Sequence, residues 1–213
     1  MVQLFNCFVK LTGWLVWSFL AKPKIHYEDR SVQGRKIRGK AIVMPNHTDV
    51  WDFAAMMFLF PGRSLRCVVA ELMYEKNALM SLFLRFLGTV RVDRNNNDFG
   101  FISKCVRILD KNGVVEFYPE ARLPLKGQKE LSPFKPSIAL LALESGAPVI
   151  PVYTDGRYFS KARNHIVIGK PIDVRQLYDD GRSEKENIAA ITEFLRGKIN
   201  ELNEQLHEEL SAG

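Results

Sequence analysis

The sequence predicts an α/β fold, a single domain with a largely parallel central sheet flanked by helices. Two observations predict it. Short apolar runs alternate with stretches of helical periodicity along most of the chain, a pattern that is typical of this class. The length of 213 residues and the hydrophobic content of 46% are enough for one domain with a sizeable core.

We predict a separate amphipathic helical segment at the amino terminus, residues 1–26. Residues 27–213 are predicted to form the main domain. The first 21 residues are mostly apolar and rich in aromatic side chains, but three polar residues, including Lys10, interrupt them. The charge-free part, residues 11–21, is too short to cross a hydrocarbon core, which needs about 20 apolar residues. We therefore expect a helix that lies in a membrane interface with its lysines toward the headgroups. An ordinary core helix is the alternative.

The remaining elements follow in order. Residues 23–39 are polar and basic and are expected to form a solvated face. Apolar runs predict strands at 40–45, 65–70, 88–94, 114–118 and 148–153, and an edge strand at 165–168. Helices are predicted at 50–60, 77–87, 99–111 and 136–144. Ser183 and Glu186 predict a capping box for a last helix, whose apolar stripe is a packing face.

A histidine and an aspartate follow the first predicted strand. His47 and Asp52 are five residues apart, which on a regular helix would separate them by roughly 140°. They can meet if His47 lies outside the helix and Asp52 in its first turn. An Asp that accepts from one ring nitrogen fixes the tautomer and leaves the other nitrogen free as a base. Such a pair needs no nucleophilic side chain if the substrate brings a hydroxyl. The alternative is structural, because Asp49 and Asp52 are spaced like a capping box.

Polar residues also follow two further strands. His47, Arg94 and Glu120 each come at the end of a predicted strand. Functional sites in largely parallel sheets gather at the carboxyl ends of strands, so these residues are expected to converge on one rim. The sequence has neither a glycine-rich phosphate loop nor a dinucleotide fingerprint.

Charge and cysteine content narrow the classes of partner. The net charge of +6 favours an anionic partner: a membrane surface, a phosphorylated substrate, an acidic carrier protein or a nucleic acid.

The cysteines Cys7, Cys67 and Cys105 are odd in number and lack metal-ligand spacing, so we expect a reducing compartment and three small buried residues. A nucleic-acid binder would place aromatic residues beside Lys and Arg, whereas here they lie in apolar runs. We expect no nucleic-acid partner and no metal.

Four segments, taken together and in their order, match the motif blocks of a known family. The stretch Ser132-Pro133-Phe134-Lys135 adds to the match. The four segments are Asn46–Asp52, with the pattern Asn-His-x4-Asp; Gly88–Arg94, ending in Asp-Arg; Phe117–Glu120, similar to the start of Phe-Pro-Glu-Gly-Thr-Arg; and Pro148–Val152, apolar and proline-containing. In this order they resemble the glycerolipid acyltransferase family, specifically its 1-acylglycerol-3-phosphate (lysophosphatidate) acyltransferases. The resemblance covers about residues 40 to 155.

The third block departs from the family pattern. Glu120 is followed by Ala121 and Arg122, where the family has Gly, Thr and Arg, so the arginine comes one residue early. Alanine does not tolerate a left-handed backbone as glycine does.

The resemblance implies transfer of a fatty acyl group from an acyl thioester, on acyl carrier protein or coenzyme A, to the free hydroxyl of a lysophospholipid, with lysophosphatidate the first candidate. It implies His47 as the general base and Asp52 as its orienting partner. The candidates for binding the acceptor phosphate are Arg91, Arg94 and Arg122. Glu120 is expected to hold an arginine or an acceptor hydroxyl, and Arg91 could instead pair with an acid. No cofactor is implied beyond the acyl donor.

These expectations describe a monotopic or peripheral enzyme on the cytoplasmic face of the cell membrane. Within the family, another lysolipid or glycerol 3-phosphate is the alternative acceptor. From a different class, a non-catalytic lipid-binding protein with the same fold is the alternative.

Overall fold

A seven-stranded sheet forms the centre of the structure, a computed structural model that describes residues 1–93, 100–125, 128 and 130–212. Its strands are β1 (Lys24–Tyr27), β2 (Ala41–Pro45), β3 (Leu65–Ala70), β4 (Val90–Val92), β5 (Val114–Glu116), β6 (Val149–Thr154) and β7 (His165–Ile168). The helices are α1 (Val2–Ala21), α2 (Asp52–Leu59), α3 (Glu71–Glu75), α4 (Ala78–Leu87), α5 (Gly100–Asp110), α6 (Ser137–Ser145) and α7 (Glu184–Ser211), with a 3-10 turn at Val174–Leu177. The α/β prediction is confirmed.

The strand order is β1-β7-β6-β2-β5-β3-β4. Every strand pair is parallel except β6 with β7. One face of the sheet packs on α1 and α2, and the other packs on α5, α6 and α7. All five residues of β2 are buried, as expected for a central strand that is covered on both faces. The carboxyl ends of β2 and β5 therefore lie side by side on one rim of the sheet.

One prediction at the sheet edge was wrong, and one strand there was not predicted. Residues 165–168 are not an edge strand, because β1 pairs outside them and all four residues are buried. β1 itself lies in the stretch predicted to be a solvated basic face, and the predicted boundary after residue 26 falls inside it. A four-residue strand that includes a lysine and a histidine has little sequence signal, so its pairing with β7 decides its structure. β7 runs antiparallel because the ten residues after β6 are too few for a helical crossover.

Helix α1 is continuous over 20 residues, about 30 Å, and by length and composition it could cross a membrane. The argument that its charge-free part is too short therefore does not exclude crossing. One side of α1 packs on the domain: Trp17 and Ala21 are buried, and Asn6 donates to the Leu87 carbonyl at 3.2 Å. Lys10 donates to the carbonyls of Phe60, Pro61 and Arg63.

The opposite side of α1 carries an exposed apolar stripe at intervals of three and four residues. We call it the α1 stripe: Leu4, Phe8, Leu11, Leu15 and Phe19. Leu11 is 79% exposed and Leu15 is 77% exposed, so α1 is not an ordinary core helix. The domain covers one side of α1, and the apolar side chains on its other side are exposed in the structure.

The last helix and the cysteines complete the comparison with the sequence. The Ser183–Glu186 capping box is present at the start of α7, and the predicted stripe packs on the sheet. Cys67 and Cys105 are buried as expected, but Cys7 is exposed. The expectation for Cys7 is wrong because apolar residues surround α1, and apolarity alone does not show which side of the helix packs on the domain.

Candidate active site

The histidine and the aspartate of the first block meet at the carboxyl end of β2. His47 lies in the loop between β2 and α2, and Asp52 is the first residue of α2. His47 Nδ1 is 2.7 Å from Asp52 Oδ2. The Asp52 side chain is fully buried, whereas that of His47 is 21% exposed. The His47 Nε2 atom has no hydrogen-bond partner within the described residues, so it is available to a substrate.

Asp52 has further hydrogen-bond donors around it. Oδ2 also accepts from the Thr48 amide at 2.6 Å and from the Asp49 amide at 2.9 Å. Oδ1 accepts from Thr48 Oγ1 at 2.7 Å and from the Tyr158 hydroxyl at 2.8 Å. The alternative, in which Asp49 and Asp52 form a capping box, is therefore partly right. Asp52 accepts from two backbone amides that precede its helix. The Asp49 carboxylate accepts from the Trp51 amide at 3.1 Å instead.

Glu120 has different partners from those that the sequence suggested. Oε1 accepts from the His47 backbone amide at 2.7 Å, and Oε2 accepts from the Ser132 amide at 3.1 Å. Glu120 is buried, which raises the pKa of its carboxyl above the ordinary value, while these two amides oppose that rise. Its described contacts are to loops and not to an arginine. It joins the loop that carries His47 to the loop near Ser132.

The ring of His47 packs on a tyrosine that sequence reasoning did not select. The Tyr118 and His47 ring centroids are 4.6 Å apart, and the Tyr118 hydroxyl donates to Glu116 Oε1 at 2.6 Å. Burial raises the pKa of Glu116 to about 8, and the Asp52 carboxylate adds to this effect. Glu116 is thus largely neutral at pH 7. Its only sequence signal is an acidic residue inside a short apolar strand.

The backbone of the third block contradicts one expectation. Ala121 has a φ of 60°, in the left-handed region that was expected to need glycine. The Ala121 amide donates to the Tyr118 carbonyl at 3.1 Å, which closes a tight turn there. The surrounding contacts hold this turn although a Cβ in the left-handed region costs about 1–2 kcal/mol.

The predicted phosphate-binding arginines are not all brought to the dyad. Arg91 lies on the edge strand β4 and pairs with Glu75 at 2.8 Å, the alternative that the sequence left open. Three strand spacings, about 14 Å, separate β4 from β2. Arg94 lies outside the described residues. Arg122 is exposed beside the Glu120 loop and makes no ion pair within the described part of the chain.

Two more residues near the rim were not selected from the sequence. Lys135 is exposed, and its amide donates to the Pro119 carbonyl at 2.8 Å, so it lies beside the Glu120 loop. Tyr158 reaches Asp52 from the loop between β6 and β7. Nothing in the sequence around Tyr158 indicates that contact, because it joins residues 106 positions apart.

Comparisons with known proteins agree on one family. The acyltransferase family model matches residues 22–155, more than half of the chain. A 1-acyl-sn-glycerol-3-phosphate acyltransferase of Bacillus subtilis is 26% identical over 138 residues, 62% of this chain and 66% of that protein. The human 1-acyl-sn-glycerol-3-phosphate acyltransferase beta is 23% identical over 145 residues, 68% of this chain and 51% of that protein.

The similarity extends to a plant protein and to a solved structure. A 1-acyl-sn-glycerol-3-phosphate acyltransferase of Cocos nucifera is 24% identical over 191 residues, 85% of this chain and 59% of that protein. The chain thus spans between about half and two thirds of the length of these relatives. The crystal structure of the 1-acyl-sn-glycerophosphate acyltransferase PlsC from Thermotoga maritima shares the fold, with a TM-score of 0.64, 18% identity and coverage of 95% of this chain and 79% of that one.

The matched region includes β2 and its dyad, the Glu120 loop and all of β6. As the order of its motif blocks predicted, the chain belongs to the acyltransferase family.

Proposed function

We propose that this protein is a membrane-associated acyltransferase that moves a fatty acyl group from an acyl thioester to the free hydroxyl of a lysophospholipid. The first candidate for the acceptor is 1-acylglycerol-3-phosphate, which would give phosphatidic acid. The names of the three relatives support this acceptor. The observation that carries the proposal is the His47–Asp52 contact, with a buried carboxylate on Nδ1 and an unoccupied Nε2.

In the proposed reaction His47 Nε2 takes the proton of the acceptor hydroxyl while the hydroxyl oxygen attacks the thioester carbonyl. The tetrahedral intermediate then collapses, the C–S bond breaks, and the leaving sulfur takes the proton from His47. Asp52 holds the ring in the tautomer that carries its proton on Nδ1 and stabilises the imidazolium. No protein nucleophile is needed, because the acceptor supplies the oxygen.

The acceptor phosphate would bind cations next to the Glu120 loop. Arg122 and Lys135 are both exposed there and leave their charges free of ion pairs among the described residues. Arginine suits a phosphate because its guanidinium can donate two parallel hydrogen bonds. Arg94 stays a prediction. Arg91 is a weaker candidate than Arg122 because Glu75 already neutralises it.

Membrane association would rest on the α1 stripe. α4 adds Leu79 and Leu82, which are also exposed, and α4 packs against α1. β1 starts at the rim where β2 ends, since β1 is antiparallel to β6 through β7. The end of α1 also lies near the dyad, because the Trp17 ring packs on Tyr158 and the Tyr158 hydroxyl donates to Asp52. An acceptor lipid could therefore reach His47 from the bilayer. The net positive charge would attract anionic lipid and an acidic carrier protein, though coenzyme A thioesters are equally compatible donors.

The proposal is tested by thiol release from a long-chain acyl thioester with and without 1-acylglycerol-3-phosphate in mixed vesicles. We expect release that requires the acceptor and yields phosphatidic acid, in the parent protein and in a His207→Ala control. His207 is exposed near the end of α7, which packs on the face of the sheet opposite to α1 and α2. The His47→Ala variant should lose at least about a hundredfold in rate, since general base catalysis contributes 10²–10⁴-fold.

One pattern of results would reject the proposal. If the parent protein binds vesicles but transfers no acyl group to 1-acylglycerol-3-phosphate, to other lysolipids or to glycerol 3-phosphate, then the protein is a lipid-binding member of the family.

A further inference from the structure

We infer that Tyr158 is a positioning residue of the dyad, which holds the Asp52 carboxylate so that His47 Nε2 faces the acceptor hydroxyl. The inference rests on the proposed function and adds a residue that lies outside the region matched by the family model, residues 22–155. It starts from the direct contact, in which the Tyr158 hydroxyl donates to Asp52 Oδ1 at 2.8 Å.

Tyr158 differs from the other donors to Asp52 in where it comes from. His47, Thr48 and Asp49 supply four donors, and all three lie in the short loop directly before the helix that Asp52 begins. That loop could tilt as a unit without breaking any of these four bonds. Within the described residues Tyr158 supplies the bond that ties the carboxylate to another element, the loop between β6 and β7.

The β6–β7 loop approaches the dyad closely. Gly156 has a φ of 67°, and a Cβ there would lie 2.5 Å from Thr48 Oγ1. Only glycine satisfies both the backbone conformation and the space. The Tyr158 amide then donates to the Gly156 carbonyl at 2.8 Å, which turns the chain so that the tyrosine points back toward Asp52.

The ring of Tyr158 is held as well as its hydroxyl. It packs on Trp17 of α1, with ring centroids 5.8 Å apart, and it belongs to the apolar core between α1 and α2. Burial, and next the charge of Asp52, raise the pKa of the Tyr158 hydroxyl well above its usual range. The phenol therefore stays protonated throughout the pH range of an activity assay and acts as a donor to Asp52.

The chemical consequence follows from the charge on the carboxylate. Each donor draws negative charge away from the Asp52 oxygens. Without the Tyr158 hydroxyl, Thr48 Oγ1 is the remaining donor to Oδ1 among the described residues. More charge is then available to stabilise the His47 imidazolium. The acid limb of the pH–rate profile should then move to higher pH, and a less constrained carboxylate should orient the ring less well. Tyr158→Phe keeps the ring and removes a hydroxyl that already bonds Asp52, so we expect KM to change little.

The test compares Tyr158→Phe with the parent protein in the acyl-transfer assay. We expect kcat to fall roughly tenfold to a hundredfold, the range for a hydrogen bond to a charged group, with KM within about twofold. The acid limb should shift upward, and the downfield NMR resonance of the His47 Nδ1–H should move. The control is Tyr153→Phe, which removes a phenol hydroxyl from a half-buried tyrosine of β6 packed toward α7.

A second variant and the NMR signal of His47 provide two further tests of the positioning role. Tyr158→Leu removes the ring as well as the hydroxyl. If Tyr158→Phe keeps the parent kcat and pH profile while Tyr158→Leu loses activity together with thermal stability, then the ring only packs and the inference is overturned. If the parent transfers no acyl group, the proposed function fails, and the NMR resonance decides alone: an unchanged His47 signal in Tyr158→Phe overturns the positioning role.

Discussion

At the scale of single residues, three buried acidic side chains contact three different parts of the site. Asp52 holds the imidazole of His47, Glu120 holds the backbone of two loops, and Glu116 accepts from Tyr118. The sequence allowed the first pairing, because His47 in a loop and Asp52 in the first turn of the next helix can meet, and the structure has this arrangement. It did not predict the others, because the partners of Glu120 are backbone amides and the partner of Glu116 is a tyrosine hydroxyl. An acidic residue does not reveal from sequence whether a charge or an amide faces it.

Glu116 gives a prediction about stability and pH. Its pKa is raised from 4.5 to about 8 in the fold, so the unfolded chain releases this proton at lower pH than the folded protein does. Its contribution to stability is therefore fully present below about pH 4.5 and is lost as pH rises through about 8. A Glu116→Gln variant should lack this loss. The free energy of unfolding of both proteins is measured in urea. The value for the variant minus the value for the parent should increase between pH 5 and pH 8. Parallel curves over that range would contradict the raised pKa.

Ala121 gives a second prediction at this scale. Replacing it with glycine removes the Cβ from a left-handed residue and adds entropy to the unfolded chain, and the first effect is the larger. We expect Ala121→Gly to stabilise the protein by up to about 1 kcal/mol in thermal or urea unfolding. Ala162→Gly, at an exposed loop position with ordinary φ, should not stabilise it. A loss of stability in Ala121→Gly would mean that the turn is not strained.

At the scale of elements, the strands and helices with strong periodicity were predicted and the weakly patterned ones were not. The observed ends of β2, β3 and α4 lie within about two residues of the predicted ends, because each element is a clear apolar run between turn signals. β1 and the short α3 were missed, because tertiary pairing determines them more than local pattern does. α1 was predicted as a helix. Which of its apolar sides packs on the domain depends on contacts with α2 and α4, and the periodicity of the α1 sequence does not contain that information.

The α1 stripe gives the prediction for this scale. Replacing Leu11 and Leu15 together with glutamine removes two exposed apolar side chains without touching the packed side of the helix. We expect sedimentation with anionic vesicles to fall clearly while the melting temperature stays within a few degrees, since surface changes cost little stability. A matched double variant on α7, Phe194→Gln with Leu210→Gln, should sediment like the parent. Equal sedimentation of both double variants would exclude α1 as the anchor.

At the scale of the whole molecule, the topology explains why separate sequence blocks form one site. β2 and β5 are parallel neighbours, so the His47 loop and the Glu120 loop must emerge on the same rim. This convergence could be predicted from the alternation of strands and helices alone. The position of Arg91 could not, because the strand order decides it and three strand spacings separate β4 from β2. The contact of Tyr158 with Asp52 depends in the same way on β6 lying next to β2.

The central claim is that His47 and Asp52 act as one catalytic unit in acyl transfer. The most direct test is a double-variant cycle on the rate of phosphatidic acid formation, with His47→Ala, Asp52→Asn and the two combined. Residues that act as a unit are strongly non-additive. We predict that each single change lowers the rate by at least about a hundredfold and that the combined variant is no slower than the slower single variant. Near-parent activity in either single variant, or losses that simply multiply, would contradict the account.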